Sequence, residues 1–286
     1  MTRIAYVNGC YAPHASAAIH IEDRGFQFAD SVYEVCAVVN GHLIDEQWHF
    51  DRLQRSLDQL EIQIPFTSDV LGIIYREVLR RNRLRNAIIY CQVTRGVARR
   101  DHAFPVKQVP ATVVVTAKPI DEEALAKRRS EGVAVVTRPD ERWARCDIKS
   151  TGLLANVLAK QSARSAGAHE AWLVDGDDNI TEGTSTNAWI VTSGGVLITR
   201  QLDNHILGGV TRLALLECAT SLGVSIEERA FSRTEALCAA EAFSSASTVG
   251  ALPVISIDQN QISDGRPGPM TQKLNGLYRS RAGNLP

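Results

Sequence analysis

The chain has 286 residues and a mass of 31.3 kDa, enough for two modest domains or one large α/β domain around a sizeable core. Hydrophobic residues at 44% and charged residues at 22% exclude a largely disordered polymer. Thirty-one basic against thirty-two acidic side chains leave a net charge of -1, which excludes a whole-protein pull toward nucleic acid or an anionic membrane.

A strand is predicted over 4–8, and Arg3 and Asn8 interrupt anything resembling an apolar signal core. Apolar runs elsewhere are strand-sized, far below the roughly 20 residues of a membrane-spanning helix, so a cytoplasmic protein with no membrane partner is expected. Residues 32–39, rich in β-branched and aromatic side chains, predict a second strand. From Gln47 the spacing changes. Phe50, Leu53, Leu57 and Leu60 recur at three and four, one face of a helix. Arg52 on its flank is either a surface arginine or a fixed positive charge for a phosphate. Ser68 as N-cap, followed by Asp69, predicts a second helix to about Asn82. Strands are predicted over 87–94 and 111–116, joined by a loop with Arg99, Arg100, Asp101 and His102. The basic run Arg76, Arg80, Arg81, Arg83 and Arg85 flanks a helix end, where cations suit the dipole. It has no interleaved aromatics or recognition motif, so no nucleic-acid partner is expected.

Lys118-Pro119-Ile120-Asp121 breaks the pattern and predicts a small N-terminal α/β domain over 1–117, a linker over 118–122 and a larger domain over 123–286. In the second part, strands are predicted over 133–137, 170–174, 186–191, 196–199 and 243–247. Helices are predicted over 151–166 and 211–222, closed by Gly167 and Gly223, with a short one over 233–240. The fold class is a two-domain α+β or α/β chain. The six cysteines are scattered and mostly amid apolar neighbours, which predicts free thiols rather than a disulfide frame. Seven histidines with no HxH or HxxxH pair predict no metal site.

Five segments carry candidate chemistry. Lys149, in Asp147-Ile148-Lys149-Ser150, precedes an apolar helix bearing Leu153, Leu154, Val157 and Leu158; it is a candidate Schiff-base amine, against the commoner solvated lysine. In Thr181-Glu182-Gly183-Thr184-Ser185-Thr186-Asn187, the carboxylate could hold a protonated ring nitrogen, or sit exposed on a hairpin turn. Leu207-Gly208-Gly209-Val210-Thr211-Arg212 leads glycines into a helix whose first N–H groups could cradle a phosphate, although it is neither a P-loop nor a dinucleotide fingerprint. Ser244, Ser245 and Ser247 end a strand and could add hydroxyl donors. Arg100-Asp101-His102 could grip a carboxylate, or be a solvated basic loop.

In this order the segments resemble the fold-type IV pyridoxal-phosphate enzymes: D-amino-acid, branched-chain L-amino-acid and (R)-amine aminotransferases, and aminodeoxychorismate lyase. The resemblance runs from Tyr6-Val7-Asn8-Gly9 through Asp23-Arg24-Gly25-Phe26-Gln27-Phe28 and Val32-Tyr33-Glu34 to Pro253-Val254. It implies a small α/β domain, a larger domain with a β-barrel-like core, pyridoxal 5′-phosphate between them, and a homodimer sharing its active sites across the interface. It further implies Lys149 as Schiff-base lysine and proton carrier, Glu182 as partner of the pyridine nitrogen, and Arg52, Val210, Thr211 and Ser247 as phosphate ligands. Leu207 matches the residue packed on the cofactor ring. Arg100 and His102, with Tyr33, match the carboxylate trap of the D-amino-acid enzymes, which implies ping-pong transamination of D-alanine with 2-oxoglutarate. The alternatives are the branched-chain, (R)-amine and lyase activities, or a non-catalytic protein that has kept the fold. Two departures stand out: Phe28-Ala29-Asp30-Ser31 replaces a glycine-rich turn, and the strand end reads Ser-Ala-Ser-Thr where many relatives carry Ser-Thr-Thr or Gly-Thr-Ala.

Overall fold

The computed structural model describes residues 3–283. They divide into two compact units: the chain up to Ile120 with Ile148–Gly152, and Asp121–Asp147 with the chain from Leu153 onward.

The first unit contains β1 (Ile4–Val7), β2 (Cys10–Pro13), α1 (Arg24–Phe28), β3 (Ser31–Val39), β4 (His42–Leu43), α2 (Glu46–Gln59), α3 (Ser68–Asn82), β5 (Ala87–Thr94) and β6 (Thr112–Pro119). The strands form an antiparallel sheet in the order β2-β1-β6-β5-β3-β4. Sequence periodicity placed β3, β5, α2 and α3 within a residue or two. It missed β2, which pairs with β1 through a tight turn at Asn8 and Gly9, both at positive φ. Thr67, not Ser68, is the N-cap of α3. The last strand of this sheet runs on through Lys118 to Pro119, which faces Ala87 at the end of the ladder. On β3, Val32, Glu34, Cys36 and Val38 share a buried parity, and Phe50, Leu53 and Leu57 from α2 join Leu71, Ile74 and Tyr75 from α3 in the same core.

The outlying segment Ile148–Gly152 is tied to this unit by backbone pairing. Tyr33 N donates to Lys149 O at 2.9 Å, Thr151 N donates to Ser31 O at 3.2 Å, and Ser150 bridges to Val32. Because β5 occupies one edge of β3 throughout, this segment lies on the other edge, where β4 pairs further along. Ile148, 4% exposed, anchors it in the core.

The second unit contains α4 (Glu122–Glu131), β7 (Val133–Pro139), α5 (Leu154–Ser165), β8 (Glu170–Val174), β9 (Ile180–Gly183), β10 (Asn187–Val191), β11 (Leu197–Thr199), α6 (Val210–Ser221), β12 (Ile226–Glu228), α7 (Arg233–Leu237), β13 (Glu241–Ala246), β14 (Gly250–Ile257), β15 (Asn260–Gln261) and α8 (Pro269–Gly283). Its sheet runs β12-β11-β10-β13-β14-β7-β8-β9, with β15 beside β14, and curls into a half-barrel. Trp172, Ile180, Ile190, Phe231 and Leu252 fill its core. Helix α4 carries no apolar stripe, since only Leu125 is buried; Asp121 caps it, with acidic residues in its first turn and basic ones in its last.

The helix expected over 151–166 starts only at Leu154, because residues 150 and 151 are spent on pairing with β3. Its stripe is not a buried face either: Leu154, Val157 and Leu158 are 73%, 58% and 59% exposed. The short helix expected over 233–240 ends at Leu237.

Gly96 follows β5 at φ 102°, and a Cβ there would lie 2.0 Å from the Pro110 carbonyl oxygen. Gly96→Ala is therefore expected to destabilise the protein by about 1–3 kcal/mol, seen as a lower urea midpoint at unchanged slope.

Candidate active site

The first unit gathers one set of functional groups around β3 and α2. Successive strand residues point to opposite faces, so Tyr33 and Glu34 serve different neighbours. Tyr33 stacks on Tyr90, and the Lys149 ammonium lies 4.3 Å from the Tyr33 ring centroid, a cation–π contact. The backbone N–H of Lys149 donates to Ser56 Oγ at 3.3 Å, one turn along α2 from Arg52. Lys149 is thus fixed at its main chain from two sides, by β3 and by α2.

Glu34 is buried among charges. Arg52 donates to it twice, Nε to Oε1 at 2.7 Å and Nη2 to Oε2 at 2.9 Å, and His49 Nδ1 stands 2.7 Å from Oε2. Burial opposes ionisation of Glu34, but the charge and hydrogen bonds of Arg52, with the hydrogen bond of His49, win and hold its carboxyl far below the usual range. Burial holds His49 below its ordinary 6.5, against the pull of Glu34. A carboxylate only accepts, so the neutral ring donates Nδ1–H. The guanidinium of Arg52 is thereby locked in one orientation.

The second unit gathers the other set. Glu182 is not on an exposed turn; it lies on β9 and is 5% exposed. Its Oε1 accepts from Arg142 Nη1, and its Oε2 accepts from Asn187 Nδ2 at 2.9 Å and Leu207 N at 3.1 Å. Arg142 also holds Asp140, through Nη2 at 2.7 Å and Nε at 2.9 Å, and the His205 carbonyl at 2.9 Å. Burial pulls the Arg142 pKa down, but the bond to Asp140 and the charge of Glu182 outweigh it, so Arg142 stays a cation. Asn187 Nδ2 reaches the Leu207 carbonyl as well, at 2.9 Å. A Cβ on Gly209 would lie 2.1 Å from Asn187 Oδ1, so this close approach requires glycine.

Helix α6 begins at Val210 after Gly209, with no side-chain cap on its first turn. Thr211, 1% exposed, places Oγ1 3.4 Å from Ser247 Oγ and 3.5 Å from the Tyr278 hydroxyl. The hydroxyls of Ser244 and Ser245 accept from the indoles of Trp172 and Trp189 at 2.9 and 2.8 Å. That leaves Ser247, beyond the strand end, as the serine beside Thr211. An uncapped helix start with hydroxyls alongside fits a phosphate, and an anchored carboxylate fits a protonated ring nitrogen. The donor set fits pyridoxal phosphate.

Arg100 and His102 lie on the exposed connection from β5 to β6. Both rest on Phe28: the Arg100 guanidinium is 5.0 Å from the ring centroid, and the His102 ring is 5.4 Å from it.

Sequence reading assigned no role to Glu34, His49, Asp140, Arg142 or Asn187. A carboxylate at a buried position of β3, opposite a helix presenting His49 and Arg52 three apart, was a signal for the first two. Arg142 lies in an irregular segment with no local pattern to mark it.

The chain matches the family described as Amino-transferase class IV over residues 31–257. It is 38% identical over 267 residues to a D-alanine aminotransferase of Bacillus licheniformis, covering 93% of each chain. It is 37% identical to one of Listeria monocytogenes, covering 95% of this chain and 93% of that one. Among solved structures, the branched-chain amino acid aminotransferase of Escherichia coli superposes with a TM-score of 0.92 at 25% identity, covering 98% and 94%. A second branched-chain amino acid aminotransferase, solved with pyridoxamine 5′-phosphate, gives 0.90 at 25% identity, covering 100% and 96%. The chain belongs to the class IV aminotransferases. It is a transferase of fold type IV, and its cofactor is pyridoxal 5′-phosphate.

Glu34→Gln is expected to lose about 3–5 kcal/mol at pH 7, because Arg52 is left without its buried counter-charge. The wild-type contribution is present above the ordinary 4.5 of the carboxyl and is lost as pH falls toward its lowered folded value. The stability gap between the two proteins should therefore narrow below pH 4.5, as urea titrations at neutral and acid pH will show.

Proposed function

We propose that this aminotransferase moves the amino group of D-amino acids, D-alanine foremost, to 2-oxoglutarate by a ping-pong mechanism. The reading is carried by Arg100 and His102, two residues apart on one loop, in a chain 35–38% identical over nearly its whole length to D-alanine aminotransferases. Pyridoxal phosphate supplies the aldehyde and the electron-withdrawing ring on which amino transfer depends. Lys149 Nζ would hold the cofactor through its aldehyde carbon; displaced there by the amino group of the substrate, the free amine would take the proton from the substrate Cα and, as the ammonium, donate it to the carbon that takes up the amino group. Glu182 holds a proton on the ring nitrogen; Arg142 and Asn187 hold Glu182. Arg52, the first-turn N–H groups of Val210 and Thr211, and Ser247 bind the phosphate, while Leu207 packs on the ring. Tyr33, Arg100 and His102 bind the substrate carboxylate.

The protein acts as a cytoplasmic homodimer, with Arg100 and His102 serving the partner subunit's site. Exposure of Leu154, Val157 and Leu158 on α5, a stripe that a second subunit would cover, supports the dimer. Among the described residues, no helix is long and apolar enough to cross a membrane.

Spectra of the cofactor during half-reactions with D- and L-amino acids test the substrate. D-alanine should convert the cofactor to its amine form and release pyruvate; turnover of L-leucine without D-alanine would overturn the reading. Lys149→Ala should lower turnover by about 10³-fold or more, and borohydride should label residue 149 in the holoprotein.

A further inference from the structure

The connection between β5 and β6 has no regular secondary structure, and residues 99–104 are exposed. Within the loop, Ala103 N donates to Asp101 Oδ1 at 3.2 Å, a local turn across His102, and conformational entropy opposes holding Arg100 and His102 in one direction by that alone. A buried cluster beneath them supplies the rest. Arg24, the first residue of α1, is only 3% exposed, yet its guanidinium reaches this loop: Nη1 donates to the Asp101 carbonyl at 2.6 Å and Nη2 to the His102 carbonyl at 3.3 Å. Its Nε donates to Asp30 at 2.7 Å. Arg95 holds the same carboxylate by two contacts, at 2.7 and 3.0 Å, and stacks on Phe104 at 3.6 Å.

The charge balance is telling. Arg95 alone would neutralise Asp30 in a two-pronged pair. Arg24 brings a second buried cation to one carboxylate, which is costly unless it finds other acceptors. The acceptors it finds are the carbonyls of Asp101 and His102, which belong to the two successive peptide links on either side of His102. Phe28 carries the side chains of both Arg100 and His102, and the Arg24 guanidinium lies 4.9 Å from that same ring.

We propose that Arg24 is a positioning residue for substrate: by gripping the carbonyls of Asp101 and His102 over Asp30, it sets the direction of Arg100 and His102, and with it the affinity for the substrate carboxylate. This rests on the reading of Arg100 and His102 as carboxylate ligands.

The holoenzyme tests it with three variants. Arg24→Met, which keeps bulk but donates nothing, should raise KM for D-alanine about tenfold or more with kcat changed less than about threefold. Arg24→Lys, which keeps the charge but only one donor nitrogen, should give a smaller rise. Trypsin should nick Arg24→Met faster after Arg99, Arg100 and Lys107. An Arg24→Met enzyme that melts lower but keeps the wild-type KM would make Arg24 a fold stabiliser only and overturn the inference. Should Arg24→Met fail to fold, a wild-type KM in Arg24→Lys has the same force. The double variant Arg100→Met/His102→Ala separates the layers. A raised KM there with none in the Arg24 variants sinks this inference alone, whereas an unchanged KM sinks the carboxylate reading beneath it.

Discussion

A carboxylate taken out of water is tolerated only beside a cation and a full set of donors. Glu34, Asp30 and Glu182 each meet that requirement, and in doing so each fixes a group that matters. Glu34 locks Arg52 by two contacts and accepts a hydrogen bond from His49. Asp30 sits between Arg24 and Arg95. Glu182 is held by Arg142, Asn187 and the Leu207 amide. Polar groups of this kind do their orienting before substrate arrives, which lowers the reorganisation left for the reaction itself.

Much of the architecture was legible in the sequence because one-sided burial writes a period into it. The run Phe50, Leu53, Leu57 marked α2, and β-branched and aromatic residues over 32–39 marked β3. What escaped lacked that imprint. Helix α4 buries one residue, and β9 is buried at every position, so neither shows a helical or an alternating pattern. The short strands β2 and β4 pair on the strength of tight turns.

The proposed site was legible in a different way. Lys149, Glu182, Arg52 and Thr211 stood out because their motifs matched a family, not because local chemistry singled them out. Their supporting residues depend on tertiary contacts: Arg142 meets Glu182 across forty positions, and Arg24 meets Asp101 across seventy-seven. The main-chain capture of Lys149 by β3 was equally invisible. The apolar stripe that followed it suggested a helix from residue 151, whereas pairing with Ser31 and Val32 delays the helix to Leu154. Tertiary hydrogen bonding overrode local propensity there.

Phe28, Arg100 and His102 also show where the molecule keeps its freedom to change. The loop residues rest on an aromatic platform and are not among the residues of the hydrophobic cores described above. Replacing them would leave strand registers and packed interiors intact, since loop substitutions on a rigid scaffold carry small folding penalties. On the proposed reading, acid recognition is thus a detachable trait in this architecture, and drift at a handful of surface positions would diversify the metabolites accepted without rebuilding the chain that presents them.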